Sequence, residues 1–463
     1  MPGGIGPRGL VLAGTHSGCG KTSLTLGLLR ALSRRGLAVR PFKAGPDFID
    51  PGLHQAACGQ KSHNLDTWML PEQALRGLFQ RHAHASDICV VEGVMGLFDG
   101  RGPTQEEGST AHLAKLLGLP VILVVDAASQ ARSVAALVQG FAHFDPGLQL
   151  AGVILNRAGS DSHEDILRRA IEPTGVPVLG CLRREAGAAL PSRHLGLVTA
   201  EDVSALDATL DALADLVERG VDLPALLERL PEISLPAPEP ETASAPPLAR
   251  IGLARDRAFC FLYEENLRLL AAAGAELVPF SPLADPGLPP GLDGLILPGG
   301  YPELAAQQLS ANAPMRAAVL DFCRSGRPVW AECGGFMYLL GELMDGEGRL
   351  WPMCGAIPGR AAMGGARAAL GYRTGRTLAP GPLGPAGTEL RGHEFHYSRA
   401  EGLAEGEGQG AWSLEASSGA VSADGWASGA VIGGYFHAHL ASNPEAAAHF
   451  VRACARSRAS GRG

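Results

Sequence analysis

The chain has 463 residues, and because one hydrophobic core seldom grows past roughly 250–300 residues, it is expected to fold as two domains. Apolar residues make up 46% of it and charged residues 19%, a balance that excludes global disorder. Its net charge of −8 contains no long block of one sign, so neither nucleic acid nor an anionic membrane is an expected partner, and an anionic substrate needs a local basic pocket.

Residues 1–9 carry Gly and Pro where a signal peptide would be apolar, and the apolar run 10–13 is too short to span a bilayer. A cytoplasmic protein is expected. The nine cysteines are odd in number and form no CxxC pair, which argues against a zinc knuckle and against a disulfide framework. In the first half, strands are expected at 9–13, 38–42, 88–92, 121–125 and 152–155, alternating with amphipathic helical stretches in the manner of a helix-covered parallel sheet. Each strand ends before a polar or glycine-rich turn, and ligands of open α/β sheets bind outside those carboxyl ends.

The first such turn is Thr15-His16-Ser17-Gly18-Cys19-Gly20-Lys21-Thr22, followed by a helical run. Gly18 and Gly20 let backbone N–H groups converge on phosphate oxygens, the helix N-terminus adds positive potential, Lys21 neutralises phosphate, and Thr22 can ligate Mg²⁺. Where GxxxxGK[ST] has its first glycine this chain has Thr15, with Gly14 one position early. The second and third turns, Lys43-Ala44-Gly45-Pro46-Asp47-Phe48-Ile49-Asp50-Pro51 and Glu92-Gly93-Val94-Met95-Gly96-Leu97-Phe98-Asp99-Gly100, surround this loop with carboxylates. Mg²⁺ takes one or two carboxylates and completes its shell with phosphate and water, so Asp47 and Glu92 are the metal candidates beside Thr22. Asp50 and Asp99 are expected to orient substrate or hold the loops, with helix or turn capping an equal alternative for any one Asp. Asn156, just past a buried strand, is a candidate for adenine recognition.

The aperiodic Pro, Glu, Ala and Ser stretch at 235–248 reads as a linker between an ATP-binding amide synthetase domain at 1–234 and a second α/β domain at 249–463. There, strands are expected at 251–254, 294–297, 329–331 and 430–435, and the glycine-rich region 361–410 is expected to form loops and short antiparallel strands. Val329-Trp330-Ala331-Glu332-Cys333-Gly334-Gly335 reads as a strand turning sharply into a helix, with Cys333 at the elbow. Such a turn exposes a nucleophile, and the helix N-terminus is expected to lower its pKa. Gly434-Tyr435-Phe436-His437-Ala438-His439 brings imidazoles to another strand end, His437 being the expected base and His439 a secondary partner. Leu297-Pro298-Gly299-Gly300-Tyr301 offers backbone N–H groups for an oxyanion, with Gly300 the candidate. The string Arg391-Gly392-His393-Glu394-Phe395-His396-Tyr397 is one residue short of HExxH and reads as substrate-facing or structural.

These motifs together resemble the cobyrinic acid a,c-diamide synthases, two-domain amidotransferases of vitamin B12 biosynthesis, over nearly the whole chain. The resemblance implies an N-terminal P-loop domain of dethiobiotin-synthetase type and a C-terminal domain of class I glutamine amidotransferase type. It implies that Cys333 attacks L-glutamine with help from His437. Ammonia then displaces phosphate from an acyl phosphate formed by ATP on the a and c acetates of a corrinoid polycarboxylate, cobyrinate or hydrogenobyrinate. It leaves a homodimer open. Many class I glutaminases carry Glu two residues after the histidine, where this chain has His439. Other readings are cobyric acid synthase, amidation of a sirohydrochlorin-type tetrapyrrole, and a non-enzymatic nucleotide switch.

Overall fold

A computed structural model describes residues 6–185, 206–236, 247–364, 368–403 and 409–460. The chain divides into two compact units, Met1–Pro240 and Glu241–Gly463. Most of the expected linker, 237–246, lies outside the described residues. Among the described residues no helix is long and apolar enough to cross a membrane.

The first unit alternates strands and helices: β1 (Arg8–Gly14), α1 (Lys21–Arg34), β2 (Val39–Ala44), α2 (Ile49–Cys58), β3 (His63–Leu65), α3 (Glu72–Ala83), β4 (Ile88–Glu92), α4 (Thr110–Leu117), β5 (Val121–Asp126), α5 (Ser133–His143), β6 (Leu150–Ala158), α6 (Asp161–Ile171), β7 (Val178–Arg183), α7 (Leu206–Gly220) and α8 (Leu223–Glu228). All seven strands are parallel, in the order β3-β2-β4-β1-β5-β6-β7. The strands β1, β4 and β5 are almost wholly buried, as a parallel sheet covered on both faces requires. The chain leaves β1 for β2, which lies beyond β4, and leaves β4 for β5, which lies beyond β1. Their following loops therefore part in opposite directions and open a crevice at the carboxyl ends, the switch point where such sheets bind ligands. The sequence expectation contains neither β3, only three residues long, nor β7. Pro41 is tolerated inside β2 because β3 pairs only from Phe42 onward.

The second unit is built on β8 (Ala249–Ala254), α9 (Glu264–Ala272), β9 (Ala275–Phe280), β10 (Gly294–Leu297), α10 (Ala306–Ala311), α11 (Ala313–Arg324), β11 (Val329–Glu332) and α12 (Gly334–Leu339). There follow β12 (Glu342–Met344), β13 (Leu350–Pro352), β14 (Arg360–Met363), β15 (Ala369–Thr377), β16 (Glu389–His396), β17 (Ser398–Glu401), β18 (Gln409–Ala416), β19 (Val421–Ser428), β20 (Val431–Gly434), β21 (His437–His439) and α13 (Pro444–Ser460). Ten strands form one sheet in the order β21-β16-β15-β18-β19-β20-β11-β10-β8-β9, and β13-β12-β14-β17 form a small second sheet. From β20 to β9 the strands run parallel; beyond β20 every pairing is antiparallel. Alternate residues of one strand feed two cores: Leu295 and Leu297 enter one, Ile296 the other, and Val329 and Ala331 part from Trp330 in the same way.

The described part of 361–410 forms antiparallel strands as expected, but not all of them are short. Among its described residues β15 and β16 are nine and eight residues long and belong to the main sheet. Gly375 and Gly392, inside these strands, mark close approaches instead of turns; a Cβ on Gly392 would lie 1.9 Å from the His437 carbonyl. Tyr435 and Phe436 alone join β20 to β21, although five strand spacings, about 24 Å in a flat sheet, separate them in the pairing order. The antiparallel half must therefore curl back on itself, which returns His437 to the carboxyl end of β20.

Candidate active sites

In the first unit, β1 gives way to the loop 15–20 and α1 starts at Lys21. Gly18 and Gly20 have φ of 81° and 101°, and a Cβ on Gly20 would lie 2.1 Å from Asn156 Nδ2, so both backbone and space demand glycine there. A Cβ on Gly14 would meet Cys19 Sγ at 2.3 Å, so a glycine is needed one position earlier than the usual spacing places it. Lys21 Nζ donates to the carbonyls of His16 (3.2 Å) and Met95, and burial holds its pKa below the ordinary lysine value.

Because β4 lies beside β1, Glu92 comes to the foot of α1, where Thr22 Oγ1 donates to its Oε1 at 2.7 Å. Lys43 Nζ, at the end of β2, donates to the same oxygen at 2.9 Å and to Asp50 Oδ2 at 2.6 Å. His54 Nε2 bonds Glu92 Oε2 at 2.7 Å, and its Nδ1 bonds Ser62 Oγ at 2.9 Å. All four charged or ionisable side chains of this network are buried. Burial alone would raise Glu92, but Lys43 and His54 outweigh it and hold the carboxylate well below the usual range. Burial, with Asp47 and Glu92 nearby, pushes Asp50 up to about 8 despite Lys43. The crowding of carboxyls here is a like-charge cost that an arriving cation would relieve.

Asp47 Oδ1 accepts from the backbone N–H groups of Ile49 (2.7 Å) and Asp50 (2.9 Å), capping the start of α2. Asp99 Oδ2 accepts from Gly96 N–H at 2.8 Å and holds the loop after β4. Asn156 Nδ2 donates to Cys19 O at 2.9 Å, so its amide steadies the phosphate loop. Among the described residues no group of three or more His, Cys, Asp or Glu could hold a metal alone. Sequence reasoning missed three participants. Lys43 stands out in the sequence only as part of a motif, and His54 lies inside α2 with no motif around it. Arg157 sits in the left-handed region (φ 64°), where it donates to Gly18 O at 2.8 Å and pairs with Asp126.

In the second unit, Cys333 joins β11 to α12 with φ 44° and ψ −103°, a strained elbow for a residue with a side chain. Its N–H donates to Gly434 O at 2.7 Å. A Cβ on Gly334 would lie 2.9 Å from Gly300 N, and one on Gly299 would lie 2.4 Å from His437 Cε1. The loop after β10 is thus pressed between the elbow and His437, which brings Cys333, Gly300 and His437 into one neighbourhood. Gly300 has no room for a side chain either, since its Cβ would meet Ala258 O at 2.1 Å.

The expectation of a lowered thiol pKa is corrected. Burial and then the Glu303 carboxyl push Cys333 upward, and the N–H of Gly334 opposes them only weakly. The six residues of α12 supply too little dipole to win. A base must therefore take the proton. Burial, reinforced by His393 and His396, holds His437 well below the ordinary histidine value, so it is neutral and able to accept. His439 is pushed down to about 3 by burial, and its Nδ1 accepts from Ala441 N–H at 3.3 Å, so it caps a turn as a neutral ring. Residues 391–396 of that string lie in strand β16, so it has no helical metal face. His393 stacks on His437 (5.2 Å between centroids) and takes a hydrogen bond with Tyr263 at 3.1 Å. Glu332, also missed, has Oε2 4.0 Å from His437 Nδ1.

Residues 10–198 match a family described as the CobQ/CobB/MinD/ParA nucleotide binding domain, and residues 250–445 match a CobB/CobQ-like glutamine amidotransferase domain. The chain is 49% identical to a cobyrinate a,c-diamide synthase of Syntrophotalea carbinolica, over 97% of this chain and 98% of that one. It is 44% identical to a hydrogenobyrinate a,c-diamide synthase of Streptomyces coelicolor, over 97% of each. It is also 44% identical to a cobyrinate a,c-diamide synthase of Salmonella typhimurium, over 96% of this chain and 98% of that one.

Proposed function

The chain belongs to the family of cobyrinate and hydrogenobyrinate a,c-diamide synthases, and from that premise we propose that it amidates the a and c acetate carboxylates of a corrinoid with ammonia from glutamine. It is a glutamine-hydrolysing amidoligase with a nucleotide-binding domain and a glutamine amidotransferase domain. In our reading His437 takes the proton of Cys333, and the sulfur adds to the glutamine amide carbon. The resulting oxyanion is met by the N–H groups of Gly300 and Gly334. Collapse breaks the C–N bond, with the proton passing from His437 to the leaving ammonia, and water then hydrolyses the thioester to glutamate.

In the nucleotide domain the substrate is ATP, cradled by Gly18, Gly20 and Lys21. The corrinoid carboxylate takes its γ-phosphoryl group, leaving ADP. Ammonia adds to the acyl phosphate and phosphate departs. Mg²⁺ would be held by Thr22 and Glu92, with Asp47 nearby, and would neutralise phosphate charge. Asp50 and Asp99 orient the loops that receive the acid.

The observation that carries this reading is the strained Cys333 elbow closed against Gly300 and His437, a geometry useful for acyl chemistry and costly to a mere fold. Mass spectrometry tests it. The protein is incubated with ATP, Mg²⁺ and glutamine, and with cobyrinate, hydrogenobyrinate or sirohydrochlorin in separate tubes. Each carboxylate amidated lowers the mass by about one unit, so two steps on one corrinoid are expected. ATP consumption with no mass change on any acid would favour a nucleotide switch.

A further inference from the structure

A cysteine nucleophile works through a base that a third group orients. The residue two after His437 cannot supply that group with a negative charge, because it is His439, buried against the Tyr263 ring with centroids 4.6 Å apart. The carboxyls around His437 can be taken in turn. Glu394 is paired with Arg373 at 2.5 Å, and Asp424 Oδ2 accepts from Phe436 N–H at 3.1 Å. Glu303, Glu332 and Asp424 all act on the sulfur of Cys333, Glu303 most strongly. Glu332 remains. Its Oε1 accepts from the N–H of Ala438 at 2.9 Å, which anchors the carboxyl on the residue after His437, and its Oε2 faces His437 Nδ1 at 4.0 Å.

We infer that Glu332 is the positioning residue of the glutaminase site: it orients His437 and balances the imidazolium formed when His437 takes the Cys333 proton. This inference rests on the glutaminase reading above. The backbone dictates the arrangement. Glu332 ends β11 opposite Gly434 of β20, and three residues later the chain reaches His437. One dipeptide at the elbow thus delivers the nucleophile with Cys333 and the orienting carboxylate with Glu332. A separation of 4.0 Å suits a resting site whose histidine is neutral, since catalytic hydrogen bonds commonly tighten only as charge develops.

The ionisable groups facing His437 are Glu332 from β11, His393 and His396 from β16, and Cys333 with Glu303 on the sulfur side. Burial pushes Glu332 up to about 8. The working form is the ionised carboxylate, so glutaminase kcat should rise as pH climbs toward that value.

The test compares wild type, Glu332→Gln, Glu332→Asp and Cys333→Ala in the full chain. The amide of Glu332→Gln keeps an acceptor for Ala438 N–H but loses the charge. Its glutaminase kcat should fall about 10²-fold or more while KM for glutamine stays within about threefold. The rising limb toward pH 8 should vanish, and Glu332→Asp should recover part of the rate together with the limb. Glu332→Gln turnover within about twofold of wild type, with the same limb, would overturn the inference. Glutaminase surviving in Cys333→Ala would sink the underlying reading; its loss there with Glu332→Gln unaffected would sink this inference alone.

Discussion

At the residue scale, the two sites solve one problem in opposite ways. Around Glu92 the protein buries charges and satisfies them, whereas around Cys333 it buries neutral forms that must ionise during turnover. Removing one partner of the first kind leaves others buried and uncompensated. Glu92→Gln should therefore destabilise the first unit by about 3 kcal/mol in urea unfolding, as well as impairing ATP use. Arg157 makes a sharper test, because its left-handed backbone is a cost that only function would retain. Arg157→Gly should leave the melting temperature unchanged or raised while increasing KM for ATP about tenfold, since Gly18 loses its anchor. An unchanged KM would mean that the guanidinium serves the fold alone. Lys21→Ala should abolish amidation with glutamine and with ammonium alike, measured as product formed, because phosphate neutralisation precedes both.

At the element scale, the strand-ending turns carry the chemistry and the glycines beside them set its geometry. Gly300→Ala should lose glutamine hydrolysis while ammonium-dependent amidation persists, because its Cβ would force Ala258 O away from 2.1 Å and shift the oxyanion loop. This kind of element was legible in the sequence. The strands at 88–92 and 294–297 are legible to the residue, because buried parallel strands are unbroken apolar runs closed by glycine turns. The phosphate loop and the cysteine elbow were legible for the same reason, as each is a local string. Hidden were features made by distant segments. His54 meets Glu92 across 38 residues and Glu332 meets His437 across 105, with no local pattern to announce either. The curled half of the second sheet escaped too, because the glycines of β15 and β16 look like turn residues until the chains they admit are seen.

At the scale of the whole molecule, two α/β units each hold a site for half of one reaction: one activates a carboxylate, and the other releases nitrogen from glutamine. Neither half explains the chain alone, and the relatives match across both. The division predicts that the two chemistries can be separated by single substitutions. The most direct measurement is amide formation by Cys333→Ser, with glutamine in one tube and ammonium in another, beside wild type. The account predicts that Cys333→Ser forms product from ammonium at a rate near wild type and none from glutamine. Undiminished synthesis from glutamine would contradict it, because Cys333 could not then be the residue that releases the nitrogen.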